Sequence, residues 1–415
     1  LILTNTPKKL KQPQTSLAAY LQKARRQADR CTNLFFRKSI KIKFAGFLLI
    51  FPAFFSCQIQ TGKDKEEHAA FVISPSNPVI ATGFKIIESG EKKVISIYHP
   101  WDSIMPPQFF YLLPQTTKAS ATKDTVIIHI PVKRIVCLSA SHLSFLDALG
   151  QIDKLVGVNN ANYVVSQEFQ NLVESGKIKE IGIGDRFKLE GLIELAPDIV
   201  MVSPQPGQSF EPLVNAGLTI IPNGDYLESH PLGRAEWIKL MGVLFGCEDR
   251  AISIFDSIKN EYTNLKNLTA GIQNRPKILS GNQYGGFWTL PGGRSYEAQF
   301  MADAGAEFFY PENTLRGSLT LDFETVYAKG FDADFWRILV YEKEEYSYQK
   351  LEKEDQRYVD FKAFKDRKVF ICNTFATPYH QKGLLEPQVI LADYINIFHP
   401  GLLPDHQNIY YQLLK

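Results

Sequence analysis

Arg134-Ile-Val-Cys-Leu-Ser-Ala-Ser-His-Leu-Ser-Phe-Leu-Asp-Ala-Leu-Gly150, with Leu155-Val-Gly-Val158 four residues further on, decides the fold. A short apolar run, a serine-bearing turn, a helix-length segment and a second apolar run read as strand, crossover helix and strand. Runs without polar alternation suit strands covered on both faces, as in a parallel sheet. The pattern recurs at Ile199–Val202 and Thr219–Ile221, and Ser, Asn, Pro or Gly follows each strand. After Asn274-Arg275-Pro276 it restarts, with strands at Ile278–Ser280, Ile338–Tyr341 and Val369–Cys372 and helices near 296–304, 322–329 and 387–398. Between the halves Ile252, Phe255, Ile258, Tyr262, Leu265 and Leu268 recur at three- and four-residue steps behind Asp249, which predicts one uninterrupted helix. The expected class is α/β, with two Rossmann-like lobes joined by one long helix and a cleft between them.

Upstream, Phe84–Ile87, Val94–Tyr98, Phe109–Leu113 and Thr125–Ile130 alternate like strands of a small antiparallel addition. Segment 58–69 is polar and charged, as suits a tether. Before it, the apolar core Phe44–Phe55 follows the basic run Arg37-Lys38-Ser-Ile-Lys41-Ile-Lys43 and ends in Ser56-Cys57, the layout of a bacterial lipoprotein signal. That core is too short to span a bilayer comfortably, and Cys57 is the expected point of cleavage and acylation. No methionine precedes Met105, so the first residue is expected to be a fragment edge or a misplaced start, and residues 1–36 are set aside. The expected divisions are 1–56 (upstream segment and signal), 57–125 (tether and addition), 126–248 (N-terminal lobe), 249–269 (connecting helix) and 270–415 (C-terminal lobe).

Formal charge over the 415 residues is +2, yet residues 1–56 hold eleven Lys or Arg and one acid, leaving 35 bases against 43 acids beyond them. The exported part is therefore acidic, which argues against nucleic acid as a partner, since that surface must neutralise phosphates. Beyond Cys57 only Cys137, Cys247 and Cys372 remain, scattered among apolar residues, so neither a disulfide framework nor a zinc pattern is implied. The charged stretch Glu342–Arg357 reads as a solvated helical face. There is no Gly-x-Ser-x-Gly elbow, His-Glu-x-x-His, phosphate loop or Cys-x-x-Cys, and no catalytic residue is nominated.

Three separated segments carry a resemblance. Arg134–Gly150 with Leu155–Val158, the step Leu189-Glu190-Gly-Leu-Ile-Glu194-Leu-Ala-Pro197-Asp198-Ile-Val-Met-Val202, and Thr320-Leu-Asp-Phe-Glu324 resemble the class III substrate-binding proteins of ABC importers, the iron-siderophore and vitamin B12 binders. The likeness spans roughly 132–415 and implies two lobes clasping a ligand with little hinge motion. It implies an exported binding component, lipid-anchored and periplasmic or cell-surface, that delivers a ferric siderophore, haem or cobalamin to a permease and its ATPase. A monomer without a cofactor of its own is expected. The alternatives are a zinc- or manganese-type ion binder of the related cluster, whose candidate histidines His142, His230, His380, His399 and His406 are scattered, and, more remotely, an exported enzyme.

In open α/β sheets ligands gather beyond the carboxyl ends of the strands, where helix N-termini present free N–H groups. That edge carries Ser139, Ser141 and His142, with Asn159, Asn160, Asn162 and Ser203 beside them, and Arg186 in the loop 182–188 suits an anionic ligand. In the second lobe Asn282–Tyr296 packs four glycines and four aromatics into fifteen residues. Tyr284, Trp288, Arg294 and Tyr296 are the expected contacts there, since aromatic faces grip large flat ligands. Phe287 and Arg316 are secondary, and Trp336 is assigned to packing. The resemblance further implies an acidic docking residue on the outer face of each lobe, opposite permease arginines; Glu211 and Glu297 are the nominees.

Overall fold

The computed structural model describes residues 72–90, 92–98, 105–117, 126–161, 167–183 and 186–415. Cys57 and Asn162 therefore lie outside the described residues, as does the side chain of Arg186.

The first lobe is built on a parallel sheet in the order β12-β11-β6-β7-β8, from β6 (Ile135–Cys137), β7 (Leu155–Val158), β8 (Lys179–Glu180), β11 (Ile199–Val202) and β12 (Ile220–Pro222). A two-residue ribbon, β9 (Gly182–Ile183) with β10 (Arg186–Phe187), sits between β8 and β11 in sequence. Strands β6, β7, β11 and β12 are buried along their whole length, which is why their residues show no polar alternation. The second lobe repeats the plan in the order β16-β13-β18-β19-β20, from β13 (Lys277–Ser280), β16 (Glu307–Phe308), β18 (Phe335–Val340), β19 (Val369–Asn373) and β20 (Gln412–Leu413), the last antiparallel at the edge. A three-stranded antiparallel sheet, β14 (Asn282–Tyr284), β15 (Phe287–Pro291) and β17 (Ser318–Leu321), rises from the carboxyl end of β13.

The chain crosses between these sheets through helices Pro231–Glu236 and Ile238–Phe245 and the 21-residue connecting helix Glu248–Leu268. On the last, Ala251, Phe255, Ile258 and Tyr262 are buried, a narrower stripe than the periodicity suggests, because Leu268 is exposed. Asp303 clamps this helix to the second lobe: its Oδ2 accepts from Tyr262 Oη at 2.8 Å, and its Oδ1 pairs with Lys266 Nζ at 2.9 Å and accepts from Gln299 Nε2 at 2.8 Å.

The N-terminal addition is a five-stranded sheet, β1 (Val72–Ile73), β2 (Phe84–Ser89), β3 (Lys92–Ile97), β4 (Gln108–Pro114) and β5 (Val126–Ile130), in sequential order. It departs from the expectation in one way: the β4–β5 pair is parallel, so the sheet is not wholly antiparallel, while Val126–Ile130 is its last strand as the alternation of Thr125–Ile130 predicts. Its inner residues Phe84, Ile86, Ile95, Phe110 and Leu112 share one core with Trp237 and Met241. Two carboxylates hold the chain entering this sheet. Glu236 accepts the N–H groups of Val79, Ile80 and Ala81, and Glu228 accepts those of Thr82 and Gly83 together with Trp237 Nε1. Each satisfies backbone donors that burial would otherwise leave unpaired.

The charged stretch 342–357 forms an α-helix only over Tyr348–Glu354, with a 3-10 turn beginning at Gln356, and buried Tyr346, Tyr348 and Leu351 make it a lid on the second-lobe core as well as a solvated face.

Candidate functional site

A cavity of about 540 Å³ lies between the lobes at the carboxyl ends of their strands. The first lobe contributes Ser139, Ala140 and Ser141 from the end of β6, Asn159 and Asn160 after β7, and Ser203 and Gln205 after β11. Asp225, Tyr226 and Arg234 come from the segment leading into the connecting helix, and Tyr296, Glu297, Phe300, Tyr379 and His380 face them from the second lobe. Parallel strands deliver their ends to one edge, so residues far apart in sequence meet there.

Arg234 is the electrostatic centre. Its Nη2 and Nε donate to Asp225 Oδ2 at 2.9 and 3.3 Å, and its guanidinium carbon lies 4.1 Å from the centroid of the Tyr296 ring across the lobe boundary. Burial raises the Asp225 carboxyl above its ordinary value, and the Arg234 charge opposes that rise. Glu297 faces Arg337 at 3.7 Å, while Arg337 itself donates to Tyr411 Oη and Ser280 Oγ behind the cavity wall. Burial lifts the Tyr296 and Tyr379 phenols, and burial with the Asp225 charge lifts Tyr226 to about 12. All three therefore remain protonated donors at neutral pH. His380 is pushed down by burial and by Arg234, so its imidazole is neutral there.

The nominated residues divide sharply. Ser139 and Ser141 line the cavity and are hydrogen-bonded to each other at 2.9 Å, and Tyr296 lines it from the opposite lobe. His142 does not reach it: the ring is wholly buried behind the serine edge, its Nε2 is 3.1 Å from Ser203 Oγ, and burial pushes its pKa down to about 3. A first-turn histidine points either outward or into the sheet, and here the sheet takes it.

Trp288 is likewise a correction. It is fully buried in the second lobe, stacked on Trp336 at 5.5 Å and 25° and edge-on to Tyr358 at 5.7 Å, with Nε1 donating to Ser280 O at 3.0 Å. The glycine-aromatic segment is a hairpin whose tip, Gly285-Gly286, has φ of 60° and 88°, the primed-turn geometry that glycine takes without strain. Strand alternation then turns Trp288 inward and leaves Phe287 on the other face, 60% exposed, while Tyr284 stands 86% exposed beside the tip. Neither Tyr284 nor Phe287 is part of the cavity wall, and Arg294 is exposed away from it. Arg316 reaches the addition instead, donating to Thr82 Oγ1 at 3.3 Å.

Of the docking nominees, Glu211 is exposed in the first turn of helix Glu211–Asn215. Glu297 faces inward to the cavity and Arg337, so an outer-face contact through it is withdrawn. Among the described residues no group of three His, Cys, Asp or Glu is placed to hold a metal ion. The histidines serve locally: His230 accepts from Leu232 N–H at 3.1 Å as a helix cap, and His406 contacts Asp393 at 2.7 Å.

Sequence reading missed Arg234, Asp225, Tyr226 and Tyr379, and named His380 only among the scattered histidines of the ion-binder alternative. They sit in helix starts and connections with no motif around them. The one available signal was charge, since Arg234 in His230-Pro-Leu-Gly-Arg234 opens a helix that is otherwise buried.

The chain belongs to the periplasmic binding protein family, whose model matches residues 135–374. It is thus a solute-binding protein of the ABC-transporter type rather than an enzyme. An uncharacterized lipoprotein of Methanocaldococcus jannaschii is 26% identical over 302 residues, 69% of this chain and 70% of that protein. A periplasmic haem-binding protein from Pseudomonas aeruginosa shares the fold at a TM-score of 0.50 and 20% identity, covering 65% of this chain and 93% of its own. The molybdate periplasmic binding protein of a Haemophilus influenzae ABC transporter aligns at 0.53 and 16% identity, covering 67% and 89%. The β addition lies outside the matched family segment.

Proposed function

We propose that this protein is the extracytoplasmic binding component of an ABC importer, tethered by lipid on Cys57, and that its cargo is an iron complex (siderophore or haem) or a corrinoid. The observation that carries the reading is the interlobe cavity. Its volume of about 540 Å³ lies in the range that buries most of a drug- to cofactor-sized ligand, far beyond the needs of a bare ion. Its wall combines the aromatic side chains Tyr226, Tyr296, Phe300 and Tyr379 with serine hydroxyls and one guanidinium. Such a surface stacks on a flat or partly aromatic molecule and fixes its polar rim. An ion binder would instead converge imidazoles and carboxylates, and a guanidinium at the centre would repel the cation.

The tether is supported by the Ser56-Cys57 signal and by the lipoprotein relative. Among the described residues no helix is long and apolar enough to cross a membrane. Glu211, exposed at a helix start on the first lobe, is the proposed contact for a permease arginine, where electrostatic matching orients and speeds docking.

The test is a titration of the ligand-free protein with haem, ferric siderophore complexes and cyanocobalamin, followed by absorbance and calorimetry. Saturable binding of one of them at micromolar concentration or tighter is expected. If none binds, the cargo assignment is wrong; if Cys57→Ala leaves processing and membrane partition unchanged, the tether is wrong.

A further inference from the structure

Resting on the interlobe cavity as the binding cleft, though not on the identity of its cargo, a second contact between the lobes bears on how that cleft is held. Helix Pro231–Glu236 carries Arg234, and helix Tyr296–Asp303 carries Tyr296, Glu297 and Phe300. Arg234 meets Tyr296 at the cleft. At the other end of the same two helices His230 faces Asp303, with Nε2 3.5 Å from Oδ2. Tyr262 and Lys266 of the connecting helix reach the same carboxylate. Three elements therefore meet at one buried acid.

The partners of the imidazole fix its tautomer. A backbone N–H can only donate, so the 3.1 Å contact from Leu232 N makes Nδ1 the acceptor. In the neutral ring the proton then sits on Nε2, the nitrogen turned to Asp303. Protonation puts a second N–H on Nδ1, opposite the Leu232 N–H, and two donors cannot pair. The cap is lost, its backbone donor is stranded, and the imidazolium is drawn toward the carboxylate. The His230 side chain is 26% exposed, so a proton reaches it without unfolding, unlike the wholly buried His142.

Burial depresses the His230 pKa, the Asp303 charge opposes that fall, and Lys266 adds to it. Tyr262, whose ring centroid lies 5.7 Å from that of the imidazole, stays protonated because burial and Asp303 raise its phenol. Ionisable groups on the other elements packed against this helix are turned elsewhere: Asp225 to Arg234, Lys239 to Glu236 and Asp393 to His406. Because the folded value lies below the ordinary 6.5, the contribution of the cap is complete above about pH 6.5 and is lost as pH falls through the folded value.

We infer that His230 is a positioning residue of the cleft: neutral, it caps the helix that carries Arg234 and ties it to the second lobe, and protonated, it releases that helix, so that acid loosens the cleft wall.

The experiment needs no ligand, so its failure leaves the cargo proposal standing, and failure of the cargo titration leaves this result standing. Imidazole nitrogen resonances of the full protein are followed from about pH 8 to about pH 4.5, a range that brackets an ordinary histidine. Hydrogen exchange of residues 229–237 is measured over the same range and expressed as protection relative to the unfolded-chain rate at each pH. Nδ1 of His230 should be the unprotonated nitrogen at neutral pH. Protection of 229–237 should fall roughly 5- to 30-fold in acid, the upper part of the range for loss of an N-cap, with its midpoint at the His230 titration. The connecting helix should keep its protection. His230→Asn, whose side chain accepts the cap bond at every pH, should abolish the fall, and His230→Ala should be poorly protected throughout. A proton on Nδ1 at neutral pH, no fall in protection, a midpoint away from that of His230, or an unchanged fall in His230→Asn would each overturn the inference. Should a variant not fold, the tautomer and the coincidence of the two midpoints in the wild type decide the matter alone.

Discussion

Replacing Trp288 with alanine separates a core role from a ligand role, and the geometry sets the size of the effect. The ring is fully buried among Trp336, Tyr358, Phe361 and Phe323, at centroid distances of 5.5, 5.7, 5.7 and 6.2 Å. Truncating a core aromatic costs about 3–5 kcal/mol through lost transfer and the residual cavity. Several aromatic pairs disappear at once, and Ser280 O loses the donor that Nε1 supplies at 3.0 Å. A value near the upper end, about 5 kcal/mol, is expected, a large share of the roughly 5–15 kcal/mol that stabilises a folded domain. Trp288→Phe keeps most of the packing and loses the N–H, for about 1–2 kcal/mol. Urea unfolding followed by near-ultraviolet circular dichroism should show the midpoint falling with the slope unchanged. Ligand affinity of Trp288→Phe should stay within about threefold of wild type, less than the factor of ten that 1.4 kcal/mol represents. Were Trp288→Ala stable to within about 1 kcal/mol and yet unable to bind ligand, the ring would have to face the cleft and the packing argument would fail.

His142 predicts a pH dependence. Burial pushes its folded pKa down to about 3 from an ordinary 6.5, so between those values the unfolded chain binds a proton that the folded chain refuses. Stability is therefore greatest above about pH 6.5 and falls toward pH 3, by about 2 kcal/mol at pH 5. Because burial lowers His230 and His380 in the same direction, the readout is the difference in slope between wild type and His142→Asn; identical slopes would contradict it. Glu228→Ala should cost about 3–5 kcal/mol, since it strands the buried N–H groups of Thr82 and Gly83 and the Trp237 indole. Hydrogen exchange in β2 and β3 should accelerate before exchange in the connecting helix, and uniform acceleration of both would show that the addition is not held locally by this carboxylate.

The inner strands of the two sheets were readable because they are largely buried on both faces, and an unbroken apolar run leaves a mark in sequence, whereas the two-residue strands β8, β16 and β20, exposed wholly or in part, leave none. The connecting helix was readable because one buried stripe repeats at helical spacing, although Leu268 shows that the period alone does not set the stripe's width. The hairpin Asn282–Pro291 was harder: glycine content announced a turn, but which aromatic faces inward depends on register against β17, where Trp288 pairs with Leu321. A one-residue change in that register would have turned Phe287 inward and Trp288 outward.

Local order thus determined the class of fold, the long connecting helix and the serine edge after β6, because each depends on hydrophobic period or on where a strand ends. Tertiary structure alone decided the charged heart of the cleft. Arg234, Asp225, Tyr296, Tyr379 and His380 come from segments spread over 156 positions in the chain, and no local pattern relates them. They meet because two parallel sheets direct their carboxyl ends toward each other across one helix, and Arg234 is held there by a carboxylate nine residues away and an aromatic ring from the opposite lobe. Whether a polar side chain is surface, core or site depends on what folds over it, and that information lies in packing rather than in sequence.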